Sequence, residues 1–167
     1  KNFLIRFTQF LIVVFIYSLI DGTIQYFYNE NLYGIDSSKV RMNLPFSEEL
    51  ILGGYLARIF PLLLALIILN YHFRNYMIYL IAVLLIITDV IIYVTGERSA
   101  IFLLTFATIY IILFIDRYKK LRIITFIISM IIILLITIFN QNIRERNIDH
   151  TLEQMSLSNN ESAIETI

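Results

Sequence analysis

The sequence contains no cysteine and no tryptophan, and it has only two histidines, five glycines and two prolines among its 167 residues. Without cysteine, disulfides, thiol catalysis and thiolate metal sites are excluded. Charged residues are also scarce at 16%, whereas a soluble domain has about 25%. The formal net charge is zero, so bulk charge does not indicate a nucleic-acid partner. No phosphate-binding loop, dinucleotide fingerprint or metal-ligand cluster occurs in the sequence, which therefore predicts no cofactor and no metal ion.

Apolar residues are abundant instead, at 59% of the chain with a mean hydropathy of +0.78. They are grouped in five runs separated by polar links. A membrane-spanning helix needs roughly 20 apolar residues, with about 17 as the lower limit. One such run would also suit a buried core helix, but five in succession predict an all-α, polytopic membrane protein. The predicted helices cover residues 3–20, 50–69, 76–94, 100–115 and 123–139.

The placement of lysine and arginine predicts the orientation, because these residues concentrate in short cytoplasmic loops. One set of helix ends carries seven such charges, and the other set carries five spread over a long loop, a turn and the tail. We therefore expect a cytoplasmic N-terminus, with residues 21–49, the turn at Gly96 and the tail 140–167 on the periplasmic side. The seven are Lys1, Arg6, Arg74, Arg117, Lys119, Lys120 and Arg122; the five are Lys39, Arg41, Arg98, Arg144 and Arg146.

Arg6 lies within one turn of the start of the first predicted helix, but two other charged residues, Arg58 and Asp89, lie deep inside theirs, where an isolated charge costs at least about 2.5 kcal/mol. Arg58 lies roughly 12 Å and Asp89 roughly 9 Å from the outer face, at 1.5 Å rise per residue. The second and third helices are neighbours along the chain, so the matched depth predicts an Arg58–Asp89 ion pair. Such a pair would either clamp two helices or mark a pathway. Gly53, Gly54 and Pro61 flank Arg58 and would let a neighbouring helix or a substrate come close.

The outer turn before the fourth helix carries Glu97 and Arg98. Backbone N–H groups at a helix N-terminus favour anions, and a guanidinium beside them completes a phosphate site. Arg98 is therefore a candidate anion-binding residue. Glu97 could orient Arg98, act as a base, or cap the fourth helix, and the sequence favours the cap. The aromatic residues of the outer stretch 21–34 would form either an interfacial belt or a surface that stacks on sugar rings.

Four stretches taken together resemble one family. They are EELILGGYLARIFP at 48–61, TGERSA at 95–100, DGTIQYFYNENLYG at 21–34, and RER at 144–146. In order and spacing they are similar to the bacterial O-antigen ligase and O-antigen polymerase superfamily. The resemblance covers the chain from about residue 21 to about residue 155.

The resemblance implies a metal-independent glycosyltransferase of the bacterial inner membrane, acting in lipopolysaccharide and surface-polysaccharide biosynthesis. Such an enzyme takes a glycan from undecaprenyl diphosphate. It passes the glycan to the lipid A core, as a ligase, or to another carrier-linked unit, as a polymerase. The candidate catalytic residues are Arg98 and Glu97. The candidate substrate-binding residues are Arg58, Arg98, Arg41 and Glu49, with the two arginines Arg58 and Arg98 matched to the family by motif.

The chain departs from the family in one respect, because the histidine-bearing segment of a large outer loop is not found in it. His150 does not match that segment. Residue 1 is Lys and the polar tail has no obvious end, so we expect a piece of a longer protein that does not catalyse alone. In that piece, residues 1–139 would form the transmembrane bundle and residues 140–167 would begin a periplasmic loop. The alternatives are a transporter or channel segment with the Arg58–Asp89 pair on its pathway, or a structural membrane subunit.

Overall fold

A computed structural model describes residues 2–36, 42–44, 51–70 and 75–140. The regular structure of these residues is helical, apart from one isolated bridge between Glu30 and Asp36. The all-α prediction is confirmed, and α2, α3 and α4 begin and end within two residues of their predicted bounds. The helices are α1 (Asn2–Tyr28), α2 (Leu52–Asn70), α3 (Asn75–Val94), α4 (Arg98–Phe114) and α5 (Asp116–Phe139).

Within the described ranges, three helices are long and apolar enough to cross a membrane, namely Phe3–Tyr28, Leu52–Asn70 and Tyr118–Phe139. Two shorter apolar stretches, Ile78–Val94 and Arg98–Phe114, pack among them. Helix α2 packs between α1 and α4, and α3 packs chiefly against α5. Large apolar side chains also cover the outside of the bundle, which is the surface that a hydrocarbon solvent requires. The structure is that of an all-α membrane protein.

Helix α1 continues to Tyr28, eight residues beyond its predicted end. Residues 21–28 were predicted as outer loop because they include polar groups. These groups are buried and bonded instead: the Gln25 amide donates to Asp21 and to the Asn43 carbonyl, and its oxygen accepts from the Asn43 N–H at 2.9 Å. Asp21 accepts a bond from the Leu32 N–H at 2.8 Å. The segment after α1 therefore packs back against the last two turns of this longer helix, through Leu32 and Asn43.

Helix α5 begins at Asp116, seven residues before its predicted start. The run of positive charges that looked like a cytoplasmic link is its first two turns. Lys119 and Lys120 are exposed there, whereas Arg122 is only 1% exposed. The prediction from apolar residues began the helix at residue 123, because the charged residues just before it interrupt the apolar run that marks a membrane helix.

Candidate functional site

Asp89 pairs with Arg122 of α5, so the predicted Arg58–Asp89 pair is wrong. The Arg122 Nη1 donates to Asp89 Oδ2 at 2.8 Å, and Nη2 donates to Oδ1 at 2.9 Å. This is the parallel two-bond arrangement that makes arginine–carboxylate pairs strong and directional. Both side chains are 1% exposed. The two charges are therefore neutralised inside the bundle.

Two hydroxyl groups complete this arrangement. Ser129 donates to Asp89 Oδ2 at 2.8 Å, and Thr108 accepts a bond from Arg122 Nη2. The guanidinium carbon also lies 5.7 Å from the ring centroid of Phe60 and 5.6 Å from that of Phe126, within cation–π range. Asp89, Arg122, Thr108 and Ser129 form what we call the buried cluster. It joins α3, α4 and α5, and Phe60 brings α2 against it.

The prediction of the partner failed because it used adjacency along the chain and depth from the predicted helix ends. The sequence predicts Arg122 in a cytoplasmic link, a position that excludes it as a partner of Asp89. Without Arg122, the helix ends predicted as cytoplasmic carry six positive charges and the opposite ends carry five, so the charge difference that predicts the orientation is smaller. The sequence did hold the relevant pattern, since Arg122, Thr125 and Ser129 are spaced by three and four residues and so share one face of α5. All three are buried.

Glu97 occupies the predicted N-cap position of α4 with its backbone, but its side-chain carboxylate caps α2 instead. Its Oε1 accepts the Gly53 N–H and its Oε2 accepts the Gly54 N–H, each at 2.8 Å. The backbone of Glu97 does occupy the N-cap position of α4, without a side-chain bond to that helix. A carboxylate here satisfies two of the open N–H groups at the start of α2 and complements its dipole. We call this contact the clasp.

Glycine is required on the α2 side of the clasp. A Cβ on Gly53 would overlap the hydroxyl oxygen of Thr95 and lie 3.3 Å from the Cβ of Ala100, and a Cβ on Gly54 would lie 2.9 Å from Glu97 Oε2. The prediction that these glycines admit a neighbouring helix is confirmed. Gly96, with a φ of 75°, makes the turn that brings Glu97 to α2.

The clasp decides what Glu97 and Arg98 can do. Both carboxylate oxygens of Glu97 are occupied by N–H donors, and the residue is 7% exposed. This geometry fits a cap, because each oxygen already accepts an N–H bond and little of the residue is exposed. Arg98 is the first residue of α4 and is exposed. Arg98 therefore lies at the N-terminus of α4. The bonds of the preceding residue, Glu97, to Gly53 and Gly54 hold this N-terminus against α2.

Beyond the clasp, residues of α2 and α4 line a groove of about 470 Å³, which we call the α2–α4 groove. It extends from Arg58 near the start of α2 to Ile115 after the end of α4. Arg58 is exposed, and the remainder of the lining is aliphatic or aromatic. The lining residues are Ala57, Arg58, Pro61, Leu64, Ala65, Ile68, Leu103, Phe106, Ala107, Tyr110, Ile111 and Ile115. The α2–α4 groove is therefore apolar along its length, with one cationic side chain, Arg58, near its end.

The structure thus places Arg58, Glu97 and Arg98 at the same end of the parallel α2–α4 pair. Asp89 belongs to the buried cluster instead. Arg41 and Glu49 lie outside the described residues, as does the tail after residue 140. Within the described residues, no group of three or more His, Asp or Glu side chains could hold a metal ion.

Comparison of the chain with models of protein families, with curated proteins and with solved structures finds no match. The class that fold and site define is a helical membrane protein with an apolar groove and exposed arginines at one end.

Proposed function

We propose that this chain is part of a membrane glycosyltransferase that moves a glycan from undecaprenyl diphosphate. The prenyl chain would occupy the α2–α4 groove, and the diphosphate would bind Arg58 and Arg98. The observation that carries the proposal is the groove itself, which is apolar along its length and has a cation near one end. A lipid with an anionic headgroup has the same distribution of polarity.

The chemistry proposed for the site is stabilisation of a diphosphate leaving group. Glycan transfer breaks the bond between the sugar and the diphosphate, and negative charge develops on the departing oxygen. Fixed guanidinium groups in a partly dry site stabilise this charge far better than they would in water. Arginine suits the role because its planar fork bonds two phosphate oxygens at once. The acceptor would be the lipid A core or a second carrier-linked unit.

The clasp supports the proposal through preorganisation. It fixes the start of α4 against the start of α2, so that Arg98 and Arg58 keep a constant relation. Binding groups held in place before the reaction cost no reorganisation when charge develops. Glu97, proposed from the sequence as catalytic, would act here as a positioning residue.

The alternative of a transporter or channel segment rested on an Arg58–Asp89 pair along a pathway. Asp89 instead accepts bonds from Arg122 and Ser129 inside the buried cluster. That alternative therefore loses the observation that favoured it. A structural subunit would not require the groove or an exposed arginine beside it.

The groove is tested by filling it from a residue that does not support the core. Ala65 lines the groove and is exposed, so Ala65→Phe should block a prenyl chain without overpacking the bundle. Leu62→Phe is the matched control, because Leu62 is on the same helix, is 50% exposed and does not line the groove. In a deletion strain complemented with the full-length protein carrying each substitution, we expect a polysaccharide ladder from Leu62→Phe and none from Ala65→Phe at equal protein level. A normal ladder from Ala65→Phe would remove the groove from the proposal.

The proposed location is the bacterial inner membrane, with five spans, a cytoplasmic N-terminus and the clasp facing the periplasm. Two exposed residues at opposite ends test this orientation. A cysteine introduced by Asp36→Cys should react with a membrane-impermeant reagent in intact cells, and one introduced by Asp116→Cys should not. The chain has no native cysteine to interfere. The reverse labelling pattern would place Arg58 and Arg98 on the wrong side for a periplasmic diphosphate.

A further inference from the structure

The lining of the α2–α4 groove combines buried and exposed residues. Ala57 and Ile111 are 2% and 5% exposed, whereas Phe106 and Tyr110 are 64% and 54% exposed. The volume of about 470 Å³ is within the range of ligand pockets. A groove with both kinds of wall opens at the surface of the bundle, so an apolar chain can enter it sideways from the bilayer.

The length of the groove limits how much of a prenyl chain it can hold. On α2 the lining runs from Arg58 to Ile68, which is about 15 Å along the helix axis. An extended prenyl unit adds about 5 Å to a chain, since its carbon–carbon bonds are about 1.5 Å long. About three units therefore fit between these two residues. An undecaprenyl chain is roughly 55 Å long on this scale, so most of it lies beyond the groove.

The α2 wall carries short side chains at a spacing that suits a branched chain. Ala57, Pro61 and Ala65 line the groove and follow one another every fourth residue, so they lie on one face of the helix, about 6 Å apart. A prenyl chain has a methyl branch on each unit, about 5 Å apart. Successive branches can therefore lie beside successive short side chains. The unbranched acyl chain of a phospholipid has no group to place there.

We propose that the α2–α4 groove binds only the headgroup end of a prenyl diphosphate, namely about three prenyl units in a fixed register. The first unit lies beside Pro61, next to the diphosphate at Arg58, and the third lies beside Ile68 and Ile111. The remaining units leave the groove and continue among the lipids. The identity of the lipid rests on the proposed glycosyltransferase function, whereas the register rests on the length of the groove and on the position of Arg58 near one end.

The test is photo-cross-linking of the purified full-length protein, in phosphatidylcholine nanodiscs, with synthetic prenyl diphosphates that carry a diazirine on one defined unit. Mass spectrometry should find labels around Pro61 from the first unit and around Ile68 from the third. A diazirine on the sixth unit should label lipid and no groove residue. Excess farnesyl diphosphate should suppress the groove labels, and phosphatidylglycerol should not. Groove labels from the sixth unit, or suppression by phosphatidylglycerol alone, would overturn the proposal.

A second measurement shortens the groove. Ala65 lies about 10 Å from Arg58 along α2, at the depth of the second unit. In Ala65→Phe, labelling from the third unit should fall about tenfold or more, which is the effect of overpacking, whereas a probe of two units should still label Pro61. Leu62→Phe is the matched control and should leave both labels unchanged, because Leu62 is 50% exposed and does not line the groove. Undiminished third-unit labelling in Ala65→Phe would contradict the register.

These labels report binding and not transfer, so the two proposals can fail separately. Ordered labels together with a normal polysaccharide ladder from Ala65→Phe would keep the prenyl site and remove its role in glycan transfer. Loss of the ladder together with groove labels from every unit would keep that role and remove the register.

Discussion

Two arginines within the apolar helices have opposite environments. Arg122 is 1% exposed, and its guanidinium is bonded to Asp89 and Thr108 between two aromatic rings. Arg58 is exposed beside an apolar groove, and no described carboxylate lies within ion-pair distance of it. The Arg122 charge is paired inside the bundle, whereas the Arg58 side chain is exposed at the surface.

The comparison separates two meanings of a charge in a membrane. A closed set of partners indicates that a charge holds helices together, because every bond it makes is internal. An open position next to an apolar groove indicates ligand binding, because the charge is accessible where a lipid headgroup would lie. Intramembrane charges are expected to be either paired or functional. Arg122 is of the paired kind, and the proposed function assigns Arg58 to the other.

The largest effect is expected from breaking the buried cluster. Asp89→Ala should lower the free energy of unfolding by about 3–5 kcal/mol, because it leaves the Arg122 charge buried without its partner. The measurement is thermal or denaturant unfolding in detergent micelles or bicelles. Asp116→Ala is the control, since that carboxylate is exposed at the start of α5 and should cost no more than about 1 kcal/mol.

A double substitution sharpens the same point. Replacing both partners, with Asp89→Leu and Arg122→Met, should recover most of the lost stability, because an apolar pair leaves no orphaned charge. Double-mutant cycles should show coupling between Asp89 and Arg122 and none between Asp89 and Arg58. Coupling of Asp89 to Arg58 alone would restore the pair predicted from the sequence.

Much of the fold could be predicted from sequence because apolar runs identify helices by length. The errors lie where polar residues are part of a helix. Asp21 and Gln25 have the polarity of loop residues, but they bond to Leu32 and Asn43, which lie 11 and 18 residues further along the chain and outside the local pattern. The charges before Ile123 likewise concealed the first turns of α5. Which helix packs against which is a tertiary property, and for this reason the partner of Asp89 was missed.

The next effect concerns the clasp. It lies at the same end of the α2–α4 pair as the exposed Arg58, but its own polar groups are buried and bonded. Gly53→Ala should destabilise the protein by about 1–3 kcal/mol, as overpacking of a fitted contact does, because the new methyl group overlaps Thr95. Thr95→Ala in the same chain should recover part of the loss, since it removes the overlapping hydroxyl. Unchanged unfolding of Gly53→Ala would mean that α2 and the 95–97 turn are further apart in the membrane.

A smaller effect is expected from Glu97→Gln, about 0.5–2 kcal/mol, which is the usual range for a helix cap. The amide keeps one acceptor for Gly53 or Gly54 and turns a donor toward the other N–H. Unfolding measures the stability, and the polysaccharide ladder measures transfer. We expect transfer to persist in proportion to folded protein. A fully folded Glu97→Gln without any transfer would show that the carboxylate takes part in catalysis after all.

The candidate site was partly predictable for a related reason. Gly53, Gly54, Glu97 and Arg98 stood out by residue type at a helix start, and the structure does bring the first three into contact. The sequence could not predict which helix the Glu97 carboxylate caps. A carboxylate at the N-terminus of α4 can also accept N–H bonds from the N-terminus of a neighbouring helix, here α2. The groove was also not predictable, since it depends on how α2 and α4 pack against each other.

The smallest change in stability, and the sharpest change in function, is expected at Arg58 and Arg98. Arg58→Ala should alter the free energy of unfolding by less than about 0.5 kcal/mol, because the side chain is exposed. It should nevertheless weaken glycan transfer, since the groove would lose the cation that we propose binds the lipid headgroup.

Arg98→Ala should abolish transfer while the protein still inserts. Arg98→Lys should rescue poorly, because a point charge cannot reproduce the two-bond fork. Lipopolysaccharide or surface-polysaccharide gels from a complemented deletion strain provide the measurement, with Leu62→Phe as the lipid-facing control. A normal ladder from both alanine variants would end the proposed assignment, and it would do so without affecting the buried cluster, whose role rests on stability alone.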